Sequence, residues 1–324
     1  MSAIVATMLT VFVGLVHADE NFLPSNILMM DETFAHHVFL VEKSTHKLFI
    51  YENDKSYPKL IKTFSIATGK FKGDKAMSGD HKTPEGIYTL EEFLSKQELH
   101  RRHGDYAKIY GAGAFPMNYP NFIDNREQNG GGGIWLHSTD DDNRISKGLD
   151  SKGCVVVQNA DLKDVSQYIE IGHTPIIVVQ DIFHLNKSSW ERNRKDLHET
   201  VQKWSKAWQE KDFDNYIAAY DKDRFWDRSK GKYESFKAYK KAVFSNPGKP
   251  VINFNFISIM ANEKYAVVTL EQDYHSATIN DTGKKTLYLM KDLNYDWKIV
   301  GELFDKTANT RQMAFTPQNR YFKE

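Results

Sequence analysis

Ile134-Trp135-Leu136-His137-Ser138, then a polar stretch over residues 139–150, then Ser151-Lys152-Gly153-Cys154-Val155-Val156-Val157: these residues decide how the rest of the chain is read. Both ends are short apolar runs of β type, and the stretch between them is loop-like and long enough to bring the chain back beside its start. His137 closes the first run and Cys154 opens the second, so the two side chains can meet. A thiol of ordinary pKa, about 8.5, is mostly protonated at neutral pH, and an imidazole that takes its proton leaves a thiolate suited to acyl transfer through a thioester. Gly153 permits a sharp turn before the cysteine, where main-chain N–H groups can face an oxyanion. Trp135 shares a strand face with His137 by alternation, as a pocket wall or as core. The same residues also fit an inert cysteine packed beside an apolar Val strand, and spacing alone leaves both readings open.

The chain has 324 residues, 43 Lys and Arg against 43 Asp and Glu, and one cysteine. Its length favours two domains, each with enough apolar residues for a core. Zero net charge lacks the excess cations with which nucleic-acid binders displace counterions. A lone cysteine excludes an intramolecular disulfide and a Cys-rich zinc site. Residues 3–16 are almost wholly apolar and lead into His17, Ala18, Asp19 and Glu20. That is too short for a membrane span and the right length for a secretory signal, with Val16-His17-Ala18 as the cleavage site. Residues 1–18 are therefore expected to be a signal peptide; an apolar N-terminal helix that stays and packs or anchors is the alternative. In an oxidising compartment an unpaired thiol is a liability unless it has a task.

Further β-type runs occur at Val38-Phe39-Leu40-Val41 and at 47–51, 60–68, 86–90 and 175–180, separated by Gly, Pro, Asn and Asp. Only 91–102 and 159–169 look helical, so residues 38–183 read as a mostly-β domain of sandwich or barrel type. After Phe183, Leu197, Val201, Trp204 and Trp208 recur at helical steps, followed by Phe213, Tyr216, Ile217 and Tyr220 and then Tyr233, Phe236 and Tyr239. Alternating strands at 251–260, 265–275, 285–291 and 297–304 complete an α+β domain over about 190–310, with a tail at 311–324. The segment 19–37 carries Phe22, Leu23, Ile27, Leu28, Met29 and Met30. This apolar, helix-compatible stretch needs a partner surface, either the chain's own core or a second subunit.

The first domain resembles the YkuD-type catalytic domain of L,D-transpeptidases, whose hallmark is a His followed after a loop by a Ser-His-Gly-Cys-like motif, here His137-Ser138 and Ser151-Lys152-Gly153-Cys154. The resemblance extends through Lys47-Leu48-Phe49-Ile50-Tyr51-Glu52, Gly69, Gly73-Asp74-Lys75, Gly79-Asp80, Thr83-Pro84-Glu85-Gly86-Ile87-Tyr88 and Gly132-Gly133, covering about 38–180. It implies that Cys154 is the nucleophile and His137 the general base and later acid. It also implies that the carbonyl of Ser138 or Gly153 orients the imidazole and that the N–H groups of Gly153 and Cys154 are oxyanion donors. Two positions depart from the family pattern: Lys152 stands where a His is usual, and Val156 where an Arg is common two residues after the cysteine. They leave the Cys/His pair intact and put the usual acceptor-side recognition in doubt.

The second domain, with Trp204-Ser205-Lys206-Ala207-Trp208, Gln272-Asp273-Tyr274-His275-Ser276 and Trp297-Lys298-Ile299-Val300-Gly301-Glu302, resembles a nuclear transport factor 2-like domain, a curved sheet wrapped by helices around a pocket. Its ligand is unknown from sequence. The whole architecture resembles the cell-shape-determining peptidoglycan L,D-carboxypeptidases of helical bacteria. That implies a periplasmic, cofactor-free hydrolase that trims the terminal D-Ala from tetrapeptide stems, and a homodimer.

Trp135, Ser151, Lys152 and Arg144 are expected around the substrate, Arg144 because a guanidinium fork suits a carboxylate. His36-His37, Asp140-Asp141-Asp142 and the pair His100 and His103 lack metal-ligand spacing or a third ligand, so no metal site is expected. Two other functions remain in view. One is an L,D-transpeptidase, in which an amine rather than water resolves the thioester; the other is a cell-wall binding or scaffolding protein with an inert catalytic domain.

Overall fold

The computed structural model describes residues 22–31, 36–276, 279–306 and 315–322; the signal peptide expected at 1–18 lies outside the described residues. The first domain is a β-sandwich. One sheet has the strand order Tyr57–Ser65, Lys47–Asp54, His37–Glu42, Pro175–Val179, Gly86–Thr89, and the other runs Val155–Val156, Trp135–His137, Gly113–Pro116, Leu94–Ser95. Along the central strands of the first sheet alternate residues serve two cores. Phe39, Val41, Ile176 and Val178 face the second sheet, packing with Phe115, Leu136 and Val155. Val38, Leu40, Ile177 and Val179 turn the other way. Helices Lys96–His103 and Asn159–Ser166 fall where helical spacing placed them. The short helix Phe122–Arg126 and the 3-10 segments Gly104–Tyr110 and Asp142–Lys147 were not expected, because such short turns carry too little apolar periodicity to read.

The second domain has helices Lys187–Glu210, Phe213–Ala218 and Tyr233–Phe244 over an antiparallel sheet of Val251–Ala261, Ala266–His275, Asn280–Lys291 and Trp297–Asp305. Asn186 caps the long helix by accepting the Ser189 N–H at 2.9 Å. Its apolar stripe buries Trp190, Leu197, Val201, Trp204 and Trp208. In the third helix Tyr239 departs from the expected stripe: it is exposed, with the Lys230 ammonium 4.3 Å from its ring.

This sheet is also two-faced. Ile259, Ala266, Val268, Leu287 and Ile299 face the helices. Met260, Val267, Tyr288, Met290 and Val300 join the outward residues of the catalytic sheet in one core between the domains. Gly301 marks the closest approach: a Cβ there would lie 2.1 Å from the ring of Phe122, which stacks on Tyr288 at 4.7 Å.

The N-terminal segment corrects an expectation. Its described residues 22–31 form strands rather than a helix, and of the two partner surfaces expected they meet the chain's own core. Phe22–Pro24 pairs with His184–Asn186, and Ile27–Met30 adds an edge strand beside Val251–Ala261. Leu23, Ile27, Leu28 and Met30 are buried, and the Trp190 indole donates to the carbonyls of Pro24 and Ile27 at 3.2 and 3.0 Å. These buried residues are therefore not a free dimerisation surface. Residues 315–322 return to the catalytic domain, where Tyr321 Oη donates to the Ile169 carbonyl at 2.9 Å and Tyr321 and Phe322 pack on Phe93.

Candidate active site

Parallel pairing sets Leu136 opposite Val155 and His137 opposite Val156. Cys154 immediately precedes that pairing, level with Trp135, so it stands two residues from the level of His137 on adjacent parallel strands. Tyr110 packs beside His137, its ring meeting the imidazole edge-on at 5.0 Å, and a thiolate at Cys154 would push its hydroxyl up. His137 Nδ1 donates to the Ser138 carbonyl, so Nδ1 bears the proton and Nε2 keeps the free lone pair. Of the two carbonyls expected to orient the ring, Ser138 does so.

Both reacting groups are neutral at rest. Burial pulls His137 down to about 4, outweighing the Ser138 carbonyl, which favours the protonated ring. Cys154 is only half-buried as a residue, yet the packing around its sulfur pushes the thiol up to about 11. The thiol donates to the Gly133 carbonyl at 3.5 Å, an acceptor that cannot take its proton. Because His137 protonates near 4, the acid limb of the kcat/KM–pH profile should fall near pH 4 instead of the 6.5 of an ordinary histidine; a limb at 6–7 in steady-state kinetics would contradict this environment.

Gly153 has φ +127°, a conformation that side chains rarely tolerate, and a Cβ there would lie 2.8 Å from the Lys82 carbonyl. The turn it makes is braced by Ser151, whose hydroxyl accepts the Gly153 N–H at 3.0 Å and donates to the Cys154 carbonyl at 2.7 Å. Two expectations are corrected here. The Gly153 N–H is already engaged, so of the two expected oxyanion donors only the Cys154 N–H stays available for that role. Ser151 is a buried brace rather than a substrate contact.

Arg144 is corrected as well. Its guanidinium donates to Asp150 at 2.5 Å and to Asp140 at 2.8 Å, which ties the 139–150 loop together and leaves no free fork for substrate. Arg144→Ala should therefore lower thermal stability by about 1 kcal/mol with KM changed less than twofold, since partly exposed ion pairs are worth about that much. A raised KM with unchanged melting would restore the substrate role.

Trp135 lies where alternation placed it, 4.7 Å from the Tyr110 ring and 5.6 Å from His103. Lys152 is exposed, with its Nζ 3.4 Å from the Tyr106 hydroxyl. Sequence reasoning missed Tyr106 and Tyr110. Their i, i+4 spacing was a readable signal, but it falls in a 3-10 segment that no apolar stripe announced.

Residues 36–178 match the YkuD L,D-transpeptidase catalytic domain, and residues 196–303 match the Cds6 C-terminal NTF2-like domain. The structure of Bd1075 from Bdellovibrio bacteriovorus is 33% identical, with a TM-score of 0.76 and a match covering 89% of this chain and 99% of that one. The chain belongs to the YkuD L,D-transpeptidase family. A mutant form of Pgp2, the helical cell shape determining protein of Campylobacter jejuni, is 25% identical at a TM-score of 0.68, covering 88% of this chain and 94% of that one. No curated protein sequence matches the chain. Cys154 and His137 both lie within the matched residues 36–178.

The NTF2-like domain carries a second constellation. Lys285 Nζ lies 3.0 Å and Lys240 Nζ 3.8 Å from the Glu302 carboxylate, all three residues being buried. Tyr220 donates to Glu302 at 3.0 Å, and the Lys240 ammonium lies 4.9 Å from the Trp208 ring and 5.1 Å from Phe236. Burial pulls Lys240 down to about 8, against the attraction of Glu302. Two cations share one anion. In sequence both lysines look like ordinary surface residues.

Proposed function

We propose that this protein is an exported, periplasmic L,D-carboxypeptidase that releases the terminal D-Ala from peptidoglycan tetrapeptide stems and thereby tunes cell shape. The reading is carried by the neutral Cys154/His137 pair on adjacent parallel strands of a YkuD domain. It is supported by similarity to a protein described as determining helical cell shape. In the first half-reaction the Cys154 sulfur bonds to the carbonyl carbon of diaminopimelate as its proton passes to His137 Nε2. The Cys154 N–H faces the oxyanion. The C–N bond then breaks, and His137 returns the proton to the D-Ala amine. Water next attacks the thioester, giving its proton to His137, and the tripeptide carboxylate leaves as the thiol is restored.

Hydrolysis is favoured over crosslinking by the position two residues after the nucleophile. Val156 there is an apolar side chain buried with Ala67 and Ile145, where the family commonly carries a guanidinium that could serve an acceptor.

The test is digestion of disaccharide tetrapeptides with and without an added D-amino acid. A carboxypeptidase yields tripeptide and D-Ala in both cases. Exchanged stems or crosslinked dimers in place of tripeptide would make the protein a transpeptidase, and unchanged substrate would support the scaffolding alternative.

A further inference from the structure

The stretch Gly73-Asp74-Lys75 and Gly79-Asp80 belongs to the family-like pattern, yet the mechanism above gives it no task. In the structure Lys75 is only 3% exposed, and its ammonium donates to Asp80 Oδ1 at 2.6 Å and to the Met77 carbonyl at 3.0 Å. Asp80 also accepts the N–H groups of Ala76, Met77 and Lys82 at 2.9, 3.1 and 3.2 Å. Burial by itself would push this carboxyl up; the ammonium and the three N–H groups hold it well below the usual carboxylate range. A buried ion pair is a weak source of stability, because apolar residues of similar volume often hold a loop as well. Its position suggests a different use.

The Lys75 loop frames the nucleophile from two sides. On one side the Ala76 carbonyl accepts the Gly130 N–H at 2.9 Å, and Lys75 Cε would sit 3.2 Å from a Cβ at Gly131. These contacts fix the glycine run whose Gly133 carbonyl receives the Cys154 thiol. On the other side the Lys82 carbonyl packs against Gly153, the residue before the cysteine. Burial opposes a thiolate at Cys154; the Trp135 main-chain N–H and, after it, the Lys75 charge act in its favour. Tyr110, whose hydroxyl burial pushes up to about 12, also interacts with the sulfur, and His137, neutral at working pH, lies on the adjacent strand. Around Lys75 itself stand Asp80 and Asp74. Asp74 is engaged by Lys264 and by the N–H groups of Lys75 and Glu85.

We propose that Lys75, anchored by Asp80, is a positioning residue for the Cys154 thiolate, fixing both loops that frame the sulfur and supplying the fixed positive charge that compensates it when its proton leaves. The proposal rests on Cys154 being the nucleophile, not on which stem is cut, so it is tested without substrate.

The measurement is the second-order rate of alkylation of Cys154 by neutral iodoacetamide at pH 8 in the full chain, for the wild type, Lys75→Met, Lys75→Arg and Asp80→Asn. Because only the thiolate reacts, loss of the charge should slow Lys75→Met about tenfold, the factor that one pKa unit represents. Lys75→Arg should stay within about threefold of wild type. Asp80→Asn, which removes the counter-charge, should react at least as fast as wild type. A purely structural pair predicts otherwise for Lys75→Met, since a loosened loop exposes the thiol and speeds its alkylation. An unchanged or faster rate in Lys75→Met overturns the proposal. If that variant does not fold, a slower rate in Asp80→Asn overturns it instead.

Discussion

Replacing Cys154 with alanine is expected to lower kcat/KM for D-Ala release by about 10⁴-fold or more, the scale of loss when a covalent nucleophile is removed while binding groups remain. Stability should scarcely change. The site is half-buried, the substitution removes one sulfur atom, and the Gly133 carbonyl that loses its weak thiol donor faces a partly open edge. A midpoint within about 3 °C of wild type in thermal melting is expected, corresponding to about 1 kcal/mol in a chain of this size. The combination separates chemistry from folding. Residual activity within tenfold of wild type would place the nucleophile elsewhere.

The second large effect is on stability and concerns the other domain. Glu302→Gln removes the single carboxylate shared by Lys240 and Lys285 and leaves two buried ammonium groups uncompensated. The expected cost is about 3–5 kcal/mol, because breaking a buried pair strands charge that water can no longer solvate. The pH dependence has a definite sign. Lys240 has a folded pKa of about 8 against 10.5 in the unfolded chain. Between those values the unfolded state binds more protons, so this group's penalty is fully present below pH 8 and is relieved as pH rises toward 10.5. Without Glu302 the ammonium is disfavoured further, so in the variant the relief should begin below pH 8. Adding Lys240→Met to Glu302→Gln should recover part of the loss at pH 7. Denaturant unfolding at pH 7 and 9 measures all of this, and an unchanged midpoint in Glu302→Gln at pH 7 would contradict the buried cluster.

Much of this architecture was legible because local pattern and global role coincide. His137 and Cys154 sit at strand ends that alternation and turn residues announce, and the stripe of Leu197, Val201, Trp204 and Trp208 lies in a helix long enough to show its period. What could not be read depends on partners far along the chain. Met29 pairs with Ile259, so an apolar N-terminal segment that looked in need of a subunit is satisfied inside the molecule. Val38 and Leu40 read as one half of a sandwich strand, yet they face a second sheet more than two hundred residues away in sequence. Arg144 looked free for substrate because nothing in its sequence says that Asp140 and Asp150 fold back onto it. Lys75, Lys240 and Lys285 are buried by tertiary packing alone, and burial turns ordinary lysines into groups with electrostatic work to do.

The central claim is that water resolves a Cys154 thioester formed on a tetrapeptide stem. Digesting disaccharide tetrapeptide in H₂¹⁸O and reading the products by mass spectrometry tests it most directly. The account predicts one free D-Ala per stem consumed and a tripeptide carrying a single ¹⁸O in the carboxylate of diaminopimelate. No D-Ala release, or stems whose acyl group has passed to an amine without ¹⁸O, would contradict it.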